Sequence, residues 1–180
     1  LIGSVCFSGK KKLCMFKRQV LYRKSMPSIV CFIGAQYGDE GKGRVVDYYS
    51  QYSNTVAVFQ GGGNAGHTVH IEGVKYVLHN LPCGVLRPNV VSVIGSGCTV
   101  DPVELKAEIE TLRRFGVLIT PKNLKISPRA TLLTKLHVLR DVAEDSENRI
   151  GTTKKGIGPS YADRASRTAL TLGKAVSIDN

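Results

Sequence analysis

From Ile29 onward, apolar and polar positions follow two alternating rhythms. Ile29-Val30-Cys31-Phe32-Ile33 is a short continuous apolar run that enters a glycine-rich stretch, the pattern of a buried strand leading into a loop. A helix is expected after it, from about Lys42 to Tyr52. Val56–Phe59 predicts a second strand that again ends in glycines, and Tyr76–Asn80 and Val90–Ile94 predict further strands. Over Pro102–Phe115, Val103, Leu105, Ile109 and Leu112 recur near helical spacing, with Glu104, Lys106, Glu108 and Glu110 between them. Asp101-Pro102 supplies an N-cap and a first-turn proline for that helix, and Gly116 after Arg113-Arg114 a stop. Leu132–Asp145 is a further helix candidate. Strands alternating with helices predict an α/β fold with a mainly parallel sheet.

Residues 1–27 stand apart from this pattern: they are basic, lack acidic side chains and show no clean periodicity. Three readings fit them: a disordered basic tail, an organelle transit peptide, or sequence lying upstream of a start at Met26, which is the favoured one. This segment changes the meaning of the net charge of +11. Seven basic residues lie within residues 1–25, whereas the other 155 carry 18 basic and 14 acidic side chains. That remaining excess suits polyanionic small substrates, and no nucleic-acid-binding signature accompanies it. No apolar run approaches the ~20 residues that span a bilayer. A soluble, cytoplasmic protein is therefore expected. Cys6, Cys14, Cys31, Cys83 and Cys98 are scattered without C-x-x-C spacing, so reduced thiols are expected, not zinc or a redox site.

Three loops carry the chemistry. In Gly34–Gly43, an apolar strand runs into glycines and a helix follows, an arrangement whose backbone N–H groups can cradle phosphate. Lys42 adds a point charge for a phosphoryl oxygen. The spelling departs from Walker A, because position 36 is Gln and position 43, after the lysine, is Gly. No hydroxyl follows the lysine to hold Mg²⁺, which makes Asp39 the candidate ligand. Asp39 and Glu40 are unfavourable beside phosphate unless a cation mediates or the carboxylate does chemistry. The alternative is that they cap the next helix, and for Glu40 a cap or salt bridge is the better reading. The second loop, Gln60-Gly61-Gly62-Gly63-Asn64-Ala65-Gly66-His67-Thr68, offers an amide, an imidazole and a hydroxyl on a backbone that a ligand can approach. The other histidines, His70, His79 and His137, are read as structural or surface residues. The third loop, Gly151–Tyr161, again combines hydroxyls, lysines and glycines, and Arg167 follows it.

Together these loops resemble the adenylosuccinate synthetase family. Gln36-Tyr37-Gly38-Asp39-Glu40-Gly41-Lys42-Gly43 looks like its first loop, usually spelled with Trp where Tyr37 stands; Gln60–Thr68 looks like its second and Gly151–Tyr161 like its third. Gly63 and Lys154-Lys155 depart from the common family spelling, although positive charge at position 155 is kept. The resemblance runs from about Ser28 to Leu172, so that residues 28–180 read as the N-terminal part of a longer catalytic domain. It implies GTP-dependent ligation of IMP and L-aspartate through 6-phosphoryl-IMP. Asp39 would be the general base and a Mg²⁺ ligand, with the Gly66 carbonyl as second ligand to one Mg²⁺ per subunit. His67 would be the acid partner. Gly38, Asp39, Glu40, Gly41, Lys42, Gly43 and Arg44 would wrap the GTP phosphates, with Ala65, Gly66, His67 and Thr68 beside them. Asn64 and Thr153 would hold IMP, and Arg167 would reach the partner's site in a homodimer. The alternative is a non-catalytic nucleotide- or IMP-binding module.

Overall fold

The computed structural model describes residues 4–7, 29–35, 40–71, 73–148 and 151–178. The main sheet is built around β6 (Val91–Val100), the longest strand. β3 (Thr55–Gly61) and the short β7 (Leu124–Ile126) flank it, both parallel to it. β8 (Thr131–Leu132) pairs in parallel with its end. Near-continuous apolar runs are what a strand covered on both faces requires, and Val56, Ile94 and Val100 are almost fully buried. The α/β expectation with a parallel sheet is met.

Two parts of the chain depart from that expectation. Ser4–Phe7, within the segment read as separate, forms strand β1 and lies between β2 (Ile29–Phe32) and β3, antiparallel to both. The rest of residues 1–27 lies outside the described residues. Of Tyr76–Asn80, expected as another sheet strand, Tyr76–Leu78 instead belongs to β5 (Val74–Leu78), which pairs antiparallel with β4 (His67–Ile71) in a separate two-stranded ribbon, and His79-Asn80 follows as a bend. Gly73, at φ +80° in the turn between them, allows the tight reversal.

Because β2 and β3 run in the same direction on either side of β1, and β3 runs with β6, the carboxyl ends of all three strands face one way. The first loop leaves β2 there and the second leaves β3. Helix α1 (Lys42–Ser50) returns from that end, burying Val46 against the core and setting Tyr49 against Phe32 at 5.1 Å between ring centroids. Asp47 on α1 accepts hydrogen bonds from the Arg87 guanidinium at 2.7–3.0 Å, which ties the helix to the turn following β5. α2 (Pro102–Arg114) follows β6 and buries Leu105 and Leu112. α3 (Lys135–Asn148), α4 (Ile157–Ala165) and α5 (Leu172–Ile178) complete the chain. Half of the stretch read as the third loop is thus the start of a helix. β3 and β6 shift register between Val58 and Gln60, and the backbones close up there. A Cβ on Gly97 would stand 2.2 Å from the Phe59 carbonyl oxygen, so only glycine fits.

Candidate functional site

α1 begins at Gly41, whose φ of +73° is left-handed, and no side chain caps its first turn. The Arg44 N–H turns back to the Gly41 carbonyl at 3.1 Å, whereas no side chain takes the N–H groups of Lys42 and Gly43, which keep their capacity for an outside anion. Lys42 forms an ion pair with Glu40, and its ammonium lies over Gly34, 2.5 Å from where a Cβ of that residue would stand. Glu40 is thus salt-bridged to the lysine of its own loop. Arg44 is exposed on the first turn of α1. Gly38 and Asp39 lie outside the described residues.

The second loop delivers His67 as the first residue of β4, directly against the start of α1: a Cβ on Gly43 would be 3.1 Å from the His67 Cβ. Burial holds the His67 imidazole below the usual histidine range, and the neighbouring His79 and the Lys42 charge push it the same way. These influences favour the neutral imidazole, which can both donate and accept a hydrogen bond. An anion bound beside it would reverse part of that shift. Ala65 is half-buried, while Asn64, Gly66 and Thr68 are exposed along the same loop.

The third loop braces the second. Lys155 donates to the Gly63 carbonyl at 3.1 Å and pairs with Glu104 at 3.2 Å. The Tyr161 hydroxyl accepts from the Gly61 N–H at 2.7 Å and donates to the Gly97 carbonyl at 2.9 Å. The third loop is in turn held by α3. Asp145 accepts from the N–H groups of Gly151 and Thr152 at 2.7 and 3.1 Å, and Asp141 from that of Gly156 at 2.8 Å. Thr153 is exposed on this fixed backbone.

Arg167 occupies a left-handed position, φ +65°, one residue past the C-cap of α4. Thr168 N–H reaches the Asp163 carbonyl at 2.9 Å and Arg167 N–H the Arg164 carbonyl at 3.1 Å, the bonding of a Schellman helix end. Glycine usually fills that place, and a larger residue there costs about 1 kcal/mol or more. The arginine is exposed and projects from a strained, well-fixed backbone, a combination found at functional positions.

His137 is buried and structural, with Nδ1 accepting the Thr134 N–H at 3.0 Å and Nε2 3.2 Å from Asp163. His79, read as structural or surface from the sequence, stands beside Gly66 and His67. Lys155, whose positive charge the sequence already offered, braces the second loop, and Glu104, Glu108 and Tyr161 contribute without having been assigned a role from the sequence. For the two glutamates the available signal is their i,i+4 spacing on a predicted helix.

Among the described residues, no group of three or more His, Cys, Asp or Glu side chains could hold a metal ion. Mg²⁺ needs no such cage, since it keeps waters and takes substrate phosphate oxygens with one or two protein ligands. Gly66, exposed and next in the chain to His67, which stands against Gly43 at the start of α1, fits that sparse donor set. No helix among the described residues is long and apolar enough to cross a membrane.

Fold and site define the class: an α/β protein with glycine loops at the carboxyl ends of parallel strands, where such proteins bind their ligands. The family model of adenylosuccinate synthetase matches residues 31–180. The chain belongs to the adenylosuccinate synthetase family. It is 46% identical over 154 residues to the adenylosuccinate synthetase of Bdellovibrio bacteriovorus, covering 84% of this chain and 36% of that protein. With that of Clostridium acetobutylicum it is 49% identical over 143 residues, 78% of this chain and 33% of the relative. In structure it is similar to the fully ligated adenylosuccinate synthetase from Plasmodium falciparum, with TM-score 0.70 and 43% identity over 78% of this chain and 33% of that one. It is also similar to the succinoaminodeoxyadenylate synthetase of cyanophage S-2L bound to dGMP and dATP, with TM-score 0.62 and 26% identity over 79% and 40% of the chains. The chain therefore spans about a third of the length of the curated relatives it matches.

Proposed function

We propose that this chain forms the phosphate-binding and catalytic part of an enzyme that ligates IMP and L-aspartate to adenylosuccinate at the expense of GTP. The observation that carries the reading is that His67 stands against Gly43 in the first turn of α1, the turn that Lys42 opens and no side chain caps. Phosphoryl transfer is mostly positioning and charge stabilisation. Gly38–Arg44 supplies N–H groups and the Lys42 cation for the GTP phosphates. On ligand binding, Lys42 exchanges its Glu40 partner for a phosphoryl oxygen. Asp39 takes the N1 proton of IMP, which makes O6 nucleophilic, and O6 attacks the γ-phosphorus with GDP leaving. His67, the acid partner, donates a hydrogen bond to the transferring group. The amino group of L-aspartate then displaces phosphate at C6. Mg²⁺, when bound, would be held by the Asp39 carboxylate and the Gly66 carbonyl and would neutralise charge on the phosphates. Asn64 and Thr153 hold IMP, and Arg167 reaches the partner's IMP in a homodimer.

The test is phosphate release from IMP, GTP, Mg²⁺ and L-aspartate. Asp39→Asn is expected to lower the rate at least about 100-fold while nucleotide binding persists. Near-native turnover in that variant would overturn the assignment of the base. The alternative is a nucleotide- or IMP-binding module without turnover. Saturable binding of IMP and GTP without phosphate release would select it.

A further inference from the structure

The second glycine loop is gripped from beneath as well as from the side. At the end of β5, the three consecutive N–H groups of His79, Asn80 and Leu81 all point to one carboxylate, that of Glu108, at 2.8, 2.9 and 3.3 Å. These donors have no strand partner in the β4–β5 register, which ends at Leu78. A carboxylate collecting several backbone N–H groups is among the stronger hydrogen-bonding arrangements a protein makes. The turn so fixed carries the two side chains on which the second loop rests. The His79 ring lies under Gly66, 3.1 Å from where a Cβ would be, and the buried Asn80 amide lies under Gly63 at 3.0 Å. One helical turn earlier on α2, Glu104 pairs with Lys155, which holds the Gly63 carbonyl. Glu104 and Glu108 are four residues apart and share one face of α2. The same device recurs on α3, where Asp141 and Asp145, also four apart, hold the third loop.

We propose that Glu108, assisted by Glu104, is a positioning residue for Asn64, Gly66 and His67. Through the clamped turn 79–81 it sets the height of the second loop against the start of α1, and so the distance between His67 and whatever lies on Lys42. Glu108 touches no ligand in this account. The role rests on the proposed function for its substrates, but the clamp itself can be measured without them.

The experiment compares Glu108→Ala, Glu108→Gln and the native 180-residue chain. Amide hydrogen exchange is followed by nuclear magnetic resonance, alongside calorimetric titration with IMP. In Glu108→Ala, exchange at residues 79–81 and 63–67 should rise about tenfold or more, with β6 amides unchanged, and IMP affinity should fall about tenfold. Glu108→Gln keeps an oxygen that can accept, and should restore most of both. Release of 79–81 with 63–67 unmoved would overturn the proposal, as would a glutamine variant no better than alanine. If exchange also rises throughout β6, the glutamine variant decides: recovery of residues 63–67 supports the clamp, and no recovery overturns it. A native chain that takes up no IMP would count against the substrate reading alone, since the exchange pattern still decides the clamp.

Discussion

Two kinds of helix start occur in this molecule, and they differ in what satisfies their first N–H groups. α2 opens with Asp101, whose carboxylate accepts from the N–H groups of Val103 at 2.8 Å and Glu104 at 3.3 Å, with Pro102 in the first turn. That start is complete in itself. α1 and α4 open instead with left-handed glycines, Gly41 at φ +73° and Gly156 at φ +74°, which carry no side chain to cap with, and neither helix has an acidic residue in its first turn, although Asp141 on α3 takes the Gly156 N–H at 2.8 Å. Both follow glycine-rich loops that sequence reading assigned to ligands. A self-capped start serves the fold alone, whereas an uncapped one leaves donors and positive potential for something else.

The two uncapped starts are themselves unequal, and substitution separates them. Gly156→Ala places a Cβ 2.7 Å from backbone atoms of His137 and Val138, in addition to the left-handed strain. A loss of about 3–4 kcal/mol in urea unfolding is expected. Gly41→Ala meets nothing within 4 Å and should lose only the conformational part, about 1–2 kcal/mol. Equal losses would break the distinction. Asp101→Ala should cost about 1 kcal/mol and leave GTP affinity unchanged, since its cap faces no ligand in this account. A change in affinity would place α2's start in the site after all.

The smallest expected effect is electrostatic. Asp163 on α4 is held below the usual carboxylate range by hydrogen bonding from Arg140 on α3, and further by His137. A depressed native value means that the contribution is full above about pH 4, the unfolded carboxylate's range, and fades as pH falls through the native one. Arg140→Ala should flatten the stability-versus-pH curve below about pH 4 and leave its shape near neutrality. An unchanged acid slope would show that the α3–α4 link does not depend on that pair.

The difference between starts was partly written in the sequence. Asp101-Pro102 announces a capped helix by residue type, and α2 begins where the spacing of Leu105 and Leu112 places it. Gly34–Gly43 after an apolar run announces the other kind through backbone freedom and Lys42. α4 was not legible, because Gly156–Tyr161 spells a loop, with glycines and a proline. Its helix depends on Gly156 seating against α3 and on Ser160 bonding Thr99 at 2.9 Å, contacts between residues far apart in the chain. The antiparallel placement of β1 and the β4–β5 ribbon depended on pairing partners, which an apolar run does not name. In the site, loop residues could be read from their chemistry, but Glu108 and Tyr161 could not. Their roles arise from where the fold brings backbone donors and acceptors, as when Tyr161 bridges Gly61 and Gly97.

The most direct test of the contrast is a calorimetric titration of GTP with Mg²⁺ into the native chain and Lys42→Ala, with circular dichroism to confirm that both are folded. The uncapped start of α1 as a phosphate cradle predicts saturable binding that weakens at least about tenfold in the variant. Absence of binding to the native chain, or equal affinity in a folded Lys42→Ala, would contradict it.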